Sequence, residues 1–259
     1  MRNHDPMALH PLAEHFAAVA QEYERGRPDY EPAVVGALTA ELGVSPGGPI
    51  LDLAAGTGKL TRALVGGGFD VTAVEPQASL RTILADRVGA ERVQEGLAEA
   101  IPLPDDSVEA VTVADSFHWF DRPRALQEIG RVLGPGGGLA LLNTRPDWRS
   151  ATWCDEFVRL LVEDRVEHPN FDGRPWREYV REAAGWGEPW EIRVTTYPLA
   201  DTGRLLDQMA SMSWIAAMPH EQRAERLGRA RELLESGQTP ERMPLHVEIG
   251  LARVEPRTP

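Results

Sequence analysis

From Ile50 to Thr61 the chain reads Ile-Leu-Asp-Leu-Ala-Ala-Gly-Thr-Gly-Lys-Leu-Thr, an apolar run that ends in small residues and passes straight into a helical pattern. Small residues at such a junction let a ligand touch backbone, and the first N–H groups of the helix point at it. Three ligands compete for this bend, and spacing separates them. A phosphate-cradling loop needs Gly, four residues, then Gly-Lys-Ser/Thr; here Gly58-Lys59 is followed by Leu60 and the earlier glycine position is Leu53, so that reading fails. A dinucleotide turn has its first two glycines in Gly56 and Gly58 but Thr61 as its third, which damages it and leaves it open. The third ligand is one built on adenosine. Glu75 closes the run Val71-Thr-Ala-Val-Glu75 before Pro76, where an acid meets ribose hydroxyls. Hydrogen bonds to a charged group contribute about 1.5–3 kcal/mol each, so one carboxylate there can carry much of the selectivity for a nucleoside.

These residues need a scaffold, and the pattern around them describes one. Short apolar, β-branched runs alternate with amphipathic stretches through the first 145 residues, as repeated βαβ units do. Strands are expected at about Pro49–Ala55, Asp70–Glu75, Glu91–Glu95, Ala110–Asp115 and Gly138–Thr144. Breakers precede three of them: Ser45-Pro-Gly-Gly48, Gly66-Gly67-Gly68 and Gly134-Pro-Gly-Gly-Gly138. Beyond Asn143 the regular spacing stops until Glu191–Tyr197, and all seven tryptophans fall at or after Trp119. Aromatic area concentrated this way implies a cap, an interface or a greasy pocket, or extra helices packed on the sheet. Leu245–Arg253 alternates as a last strand that closes the sheet edge. The fold class read from this is α/β: a Rossmann-like doubly wound seven-stranded sheet, mostly parallel, with an antiparallel C-terminal edge strand and an inserted helical cap. Residues 1–45 are expected to form a helical lid, 46–147 the core, 148–190 the aromatic cap, and 191–259 the segments that complete the sheet and a pocket.

Composition narrows the partners. The 259 residues are 42% hydrophobic and 26% charged, with a formal net charge of −13. That field repels phosphate backbones and anionic lipid, so a small molecule is the expected partner, with no nucleic acid and no membrane. A single cysteine, Cys154, excludes an internal disulfide and a cysteine-built zinc cage, and fits a reducing, cytoplasmic setting. Met1 to Gln21 mixes charged with apolar residues and reads as neither a leader nor a span. His168, His220 and His246 lack the paired spacing of a metal site. A monomer or homodimer is expected.

The motifs together resemble the class I S-adenosylmethionine-dependent methyltransferases, in their small-molecule branch. Leu51-Asp-Leu-Ala-Ala-Gly-Thr-Gly58 resembles the family's first motif and Glu75 its ribose acid; Gly96-Leu-Ala-Glu-Ala-Ile-Pro-Leu-Pro-Asp105 is similar to the segment bordering adenine. Val111-Thr-Val-Ala-Asp-Ser-Phe-His-Trp-Phe-Asp121 resembles a fourth-strand signature of a subgroup that carries His-Trp-Phe, and Tyr23-Glu-Arg-Gly-Arg27-Pro28-Asp29-Tyr30 a segment that folds over the cofactor. The likeness covers roughly residues 20–145, then thins to echoes such as Ser213-Trp-Ile215. Two departures stand out: Ala54 occupies the place of a usual glycine, and Leu97 that of an acid for the adenine amino group. Carried over by position, the resemblance implies S-adenosyl-L-methionine as cofactor, without metal, held by Tyr23, Arg27, Asp52, Ala54, Ala55, Gly56, Gly58, Glu75, Pro76, Gln77, Leu97, Ala98, Glu99 and Asp115. Arg27 would pair with the methionine carboxylate and Tyr23 would cover it.

Methyl transfer is an in-line displacement whose leaving group needs no proton, so positioning is most of the catalysis. A phenol, alcohol or amine acceptor must also shed a proton, whereas a thiolate or carboxylate sheds none. His118 is the base candidate, with Phe117, Trp119 and Phe120 to exclude water. The competing role for it is a packed aromatic-cluster histidine. The expected acceptor pocket uses Phe117, His118, Trp119, Asn143, Trp148 and Trp214, with Trp153 and Trp176 as further walls. An apolar, aromatic metabolite suits it, with O or N as the commonest nucleophile and S or C open. Two other classes stay open at this point: a nicotinamide-dependent oxidoreductase and a noncatalytic binder of an adenosine ligand. The acid- or Asn-led Pro-Pro-aromatic signature of base-amine methylation is absent after the fourth strand, where Asp115-Ser-Phe-His118 stands.

Overall fold

In the computed structural model, residues 9–149, 154–237 and 241–255 are described. Seven strands form one sheet: β1 (Pro49–Leu53), β2 (Asp70–Val74), β3 (Val93–Gln94), β4 (Val108–Ala114), β5 (Leu133–Pro146), β6 (Trp190–Thr196) and β7 (Leu245–Arg253). Their order is β3-β2-β1-β4-β5-β7-β6. The pairs among β1 to β5 are parallel, and β7 runs antiparallel to both β5 and β6. The last strand therefore runs against the others as expected but lies inside the edge; the edge itself is β6, whose outward-facing residues alternate with half-buried ones. The chain order reverses between β1 and β4, and sheets of this kind open a ligand crevice at the carboxyl ends of the strands at that point.

Helices cover both faces, as a buried parallel sheet requires. They are α1 (Pro11–Glu14), α2 (Ala20–Gly26), α3 (Pro32–Leu42), α4 (Lys59–Gly66), α5 (Ala78–Val88), α6 (Arg122–Val132), α7 (Cys154–Val162), α8 (Trp176–Glu182), α9 (Thr202–Ala210), α10 (Ser213–Ala216) and α11 (His220–Ser236), with single 3-10 turns at His15–Val19, Ala90–Arg92 and Phe117–Trp119. Alternation along β1 sends Leu51 and Leu53 to one face, against Leu126 and Ile129 of α6, and Ile50 to the other, against Leu38 of α3 and Leu64 of α4.

Three local readings change. The glycine run before the fifth strand is not a separate turn: Val108 pairs with Leu133 and Ala110 with Gly138, so residues 134–137 bulge out of the ladder, with Gly136 at φ 76°. The third strand shrinks to two residues because Gly89, at φ 94°, and the 3-10 turn after it use up its start. The cap is not the contiguous insertion 148–190. A third core joins Phe157, Leu160 and Leu161 of α7 to Leu205 and Met209 of α9, Ile215 of α10 and Leu234 of α11. Helix α8 goes to the sheet instead, because Gly250 on β7 leaves room for the Trp176 ring; a Cβ there would meet it at 2.3 Å. The lid approaches the cap through Gly26, where a Cβ would meet the Gln208 backbone nitrogen at 2.2 Å.

Candidate functional site

The bend after β1 is built from three left-handed residues: Ala54 at φ 55°, Gly56 at φ 61° and Gly58 at φ 86°. The two glycines do different work. A Cβ on Gly58 would meet Leu84 Cδ1 at 2.4 Å, so this residue lets α4 and α5 close on each other, and it does not line the cleft. A Cβ on Gly56 would meet nothing closer than Tyr23 Cε1 at 3.9 Å, an ordinary contact. The Gly56 N–H donates to Glu75 Oε2 at 2.9 Å, and the Gln77 N–H donates to Oε1 at 2.9 Å. Glu75 is 3% exposed, and burial pushes its carboxyl up to about 7 despite those two donors.

Above this bend lies a cleft of about 850 Å³, counting the open space at its mouth. Of the expected cofactor set, Tyr23, Arg27, Ala54, Gly56, Glu75, Pro76, Gln77, Leu97, Ala98, Glu99 and Asp115 line it, together with His10, Phe16, Ser116, Trp119 and Phe120. Asp52 and Ala55 line an adjoining smaller cavity of about 440 Å³ instead. Asp52 is 1% exposed and accepts from the Thr61 hydroxyl at 2.6 Å and the Thr112 hydroxyl at 3.0 Å, with burial pushing its carboxyl up to about 6. It ties β1 to α4 and β4, a role that β1 alternation imposes by aiming it at the same face as Ile50.

Arg27 and Asp115 line both of these cavities and a third. Asp115 sits at φ 49°, and its two carboxylate oxygens accept from the Thr144 N–H at 2.9 Å and the Thr144 hydroxyl at 2.6 Å. The Arg27 guanidinium lies 5.2 Å from the Tyr23 ring centroid and donates through Nε to Ser211 at 3.1 Å. Burial pushes the Tyr23 hydroxyl up to about 12, so it remains a donor at any ordinary pH.

The third cavity, about 1010 Å³, lies under the cap and has aromatic walls from Phe16, Trp119, Trp148, Phe171 and Trp214. His118, Trp119, Trp148 and Trp214 of the expected acceptor set are on it. Phe117 and Asn143 are not: Phe117 is 7% exposed in the core under α6, and both border a neighbouring cavity that Trp176 also lines. Trp153 lies outside the described residues. The His118 ring sits 4.4 Å from Trp119, centroid to centroid, and its nitrogens make no hydrogen bond among the described residues. Burial first, then the neighbouring His168, Arg122, His10 and Arg27, hold it well below its usual range.

His168 and Phe16 line this cavity and were not legible in the sequence. His168 stands 5.3 Å from the His118 ring and 4.8 Å from Trp119. Its Nδ1 accepts from the Asn170 N–H at 3.2 Å, which makes Nε2 the donor to the Ser213 hydroxyl at 3.2 Å. Nothing in the spacing of a lone histidine ahead of Pro169 marks this; only the fold of the cap brings it to Trp119. Among the described residues no group of three His, Cys, Asp or Glu side chains could hold a metal ion, and no helix is long and apolar enough to cross a membrane.

Known proteins place this architecture. A family model described as a methyltransferase domain matches residues 51–141. An uncharacterized methyltransferase of Mycobacterium tuberculosis is 37% identical over 226 residues, covering 85% of each chain. The ubiquinone/menaquinone biosynthesis C-methyltransferase of Hahella chejuensis is 37% identical over 110 residues, 39% of this chain and 44% of its own. A solved structure from Anaeromyxobacter dehalogenans, described as a type II methyltransferase, shares the fold with a TM-score of 0.64 at 24% identity, covering 89% of this chain and 99% of that one.

Proposed function

The chain belongs to the class I S-adenosylmethionine-dependent methyltransferases, and from that premise we propose that it methylates a small, apolar, aromatic metabolite bound under the cap. The observation that carries this reading is a shared wall. Phe16, Arg27, Asp115 and Trp119 line both the 850 Å³ cleft and the 1010 Å³ aromatic cavity, so a donor in one meets an acceptor in the other.

The cleft suits an adenosine-bearing cofactor. Gly56 brings no side chain of its own to the cleft, Glu75 spends one lone pair of each oxygen on a backbone N–H and retains the others for two ribose hydroxyls, and the buried Gln77 amide oxygen has no hydrogen-bond partner among the described residues. When bound, S-adenosylmethionine would supply an electrophilic methyl group on a sulfonium whose leaving group is the neutral thioether. Glu75 and Gly56 would hold its nucleoside, Arg27 its carboxylate, and Tyr23 would cover it. Phe16, Trp119 and the cap aromatics exclude water and fix the acceptor in line, the geometry on which the displacement depends. For a protic acceptor, His118 is the group to take the proton on a ring nitrogen; it is neutral, as a base must be, and its nitrogens have no hydrogen-bond partner among the described residues. The likeness to a C-methyltransferase over 110 residues favours a carbon nucleophile as second reading.

Incubation with methyl-labelled S-adenosylmethionine and a panel of phenols, aromatic amines and hydroquinones tests this. Label should pass to an aromatic product, identified by mass spectrometry. Transfer only to aliphatic acceptors would overturn the aromatic assignment.

A further inference from the structure

We infer that the acceptor is an aromatic acid taken up as its anion, with its ring in the aromatic cavity and its ionised group at the rim on Arg145. This rests on the methyl-transfer reading of that cavity and adds the charge of the molecule it takes.

The rim carries an unbalanced positive charge. Arg145 donates through Nε to Glu248 Oε2 at 2.6 Å, while Arg193 donates to Glu248 Oε1 at 2.8 Å. Two guanidinium groups thus share one carboxylate, and with Asp115 and Arg27 of the cavity wall included, three arginines face two carboxylates. The terminal nitrogens of Arg145 have no hydrogen-bond partner among the described residues, and its side chain is 45% exposed, so two planar donors remain for a ligand carboxylate. Arg145 borders both the aromatic cavity and the neighbouring one, at their junction beside Asn170. In a chain of net charge −13, this runs against the mean field.

The interior agrees with the rim. Among the described residues, the cavity wall carries Arg27 and Arg145 against one carboxylate, Asp115, whose oxygens accept from Thr144. Burial first, and then the charged Arg122 and Arg27, disfavour a proton on His118.

The test uses the full chain saturated with S-adenosylhomocysteine, its occupancy checked by calorimetry. Quenching of tryptophan fluorescence is then titrated with para-hydroxybenzoate, its methyl ester and para-hydroxybenzylamine, which share a ring and differ in charge. The benzoate should bind about tenfold more tightly than the ester, more tightly still than the amine, and lose that advantage in high salt. Arg145→Gln should raise the benzoate Kd to that of the ester, and Glu248→Gln, which frees a second charge, should lower it. Equal binding of the three, preference for the amine, no binding of any, or a charge preference that survives Arg145→Gln overturns the inference. Failure to bind S-adenosylhomocysteine would sink the methyl-transfer reading as well, whereas a charge-blind cavity in the loaded protein overturns this inference alone.

Discussion

The backbone N–H of Gly56 donates to Oε2 of Glu75 at 2.9 Å, so the glycine bend after β1 and the acid after β2 form one hydrogen-bonded unit. They lie nineteen positions apart in the chain, and in sequence they read as two independent contacts to one ligand. In the fold each prepares the other: the N–H orients the carboxylate, and the buried carboxylate anchors the bend. The consequence is a proposed cofactor site whose charge state depends on pH near neutrality.

Burial pushes Glu75 up to about 7, and the ribose hydroxyls of the proposed cofactor would donate to the ionised form. Below that value a proton must leave before ligand binds, so affinity rises with pH. The Kd for S-adenosylhomocysteine should fall about tenfold from pH 6 to pH 8, by one-proton linkage. Glu75→Gln should weaken binding by ~10-fold or more at pH 8 and flatten the profile. A wild-type Kd constant over that range contradicts the assignment.

Gly56→Ala and Gly58→Ala should separate binding from folding. A methyl group on Gly58 strikes Leu84, so this variant should lose roughly 2 kcal/mol or more of stability in chemical denaturation. The methyl group on Gly56 enters the cleft, so this variant should lose cofactor affinity beyond what its smaller stability loss explains. Equal behaviour of the two would mean that the bend is structural throughout.

Ala54 holds φ 55° where a side chain is strained by ~1–2 kcal/mol. Ala54→Gly relieves that strain and gives back part of it as unfolded-state entropy, so a net gain of up to ~1 kcal/mol is expected. A lower melting temperature for Ala54→Gly would show that its methyl group packs to advantage.

His118 is neutral well below its usual range, so kcat at saturating cofactor should show no acid limb near pH 6.5. His118→Ala should lower kcat ~10²-fold for a protic acceptor while leaving cofactor affinity intact. If turnover is unchanged in His118→Ala, the ring only shapes the pocket.

The core was legible because its signals are local. β-Branched runs, the Gly56 bend and Glu75 lie within short stretches whose spacing the backbone geometry dictates, and Tyr23, Arg27 and Asp115 came with motifs beside them. Where side chains answer to tertiary partners, spacing was mute. Asp52 sits within the first motif yet points at Thr61 and Thr112; Gly58 serves Leu84. Phe117 neighbours His118, but one residue along a 3-10 turn suffices to send it into the core. The cap was hardest, since its core joins residues near 160 with others beyond 200. His168 reaches the cavity only through that long-range packing.

The central claim is that the bend after β1 and the carboxylate after β2 grip a sulfonium-bearing nucleoside. Isothermal titration calorimetry of the wild-type chain with S-adenosylmethionine and, separately, with NAD tests it most directly. One-to-one binding of S-adenosylmethionine, weakened by Glu75→Gln, and no heat from NAD are expected. Binding of NAD with S-adenosylmethionine silent would contradict it.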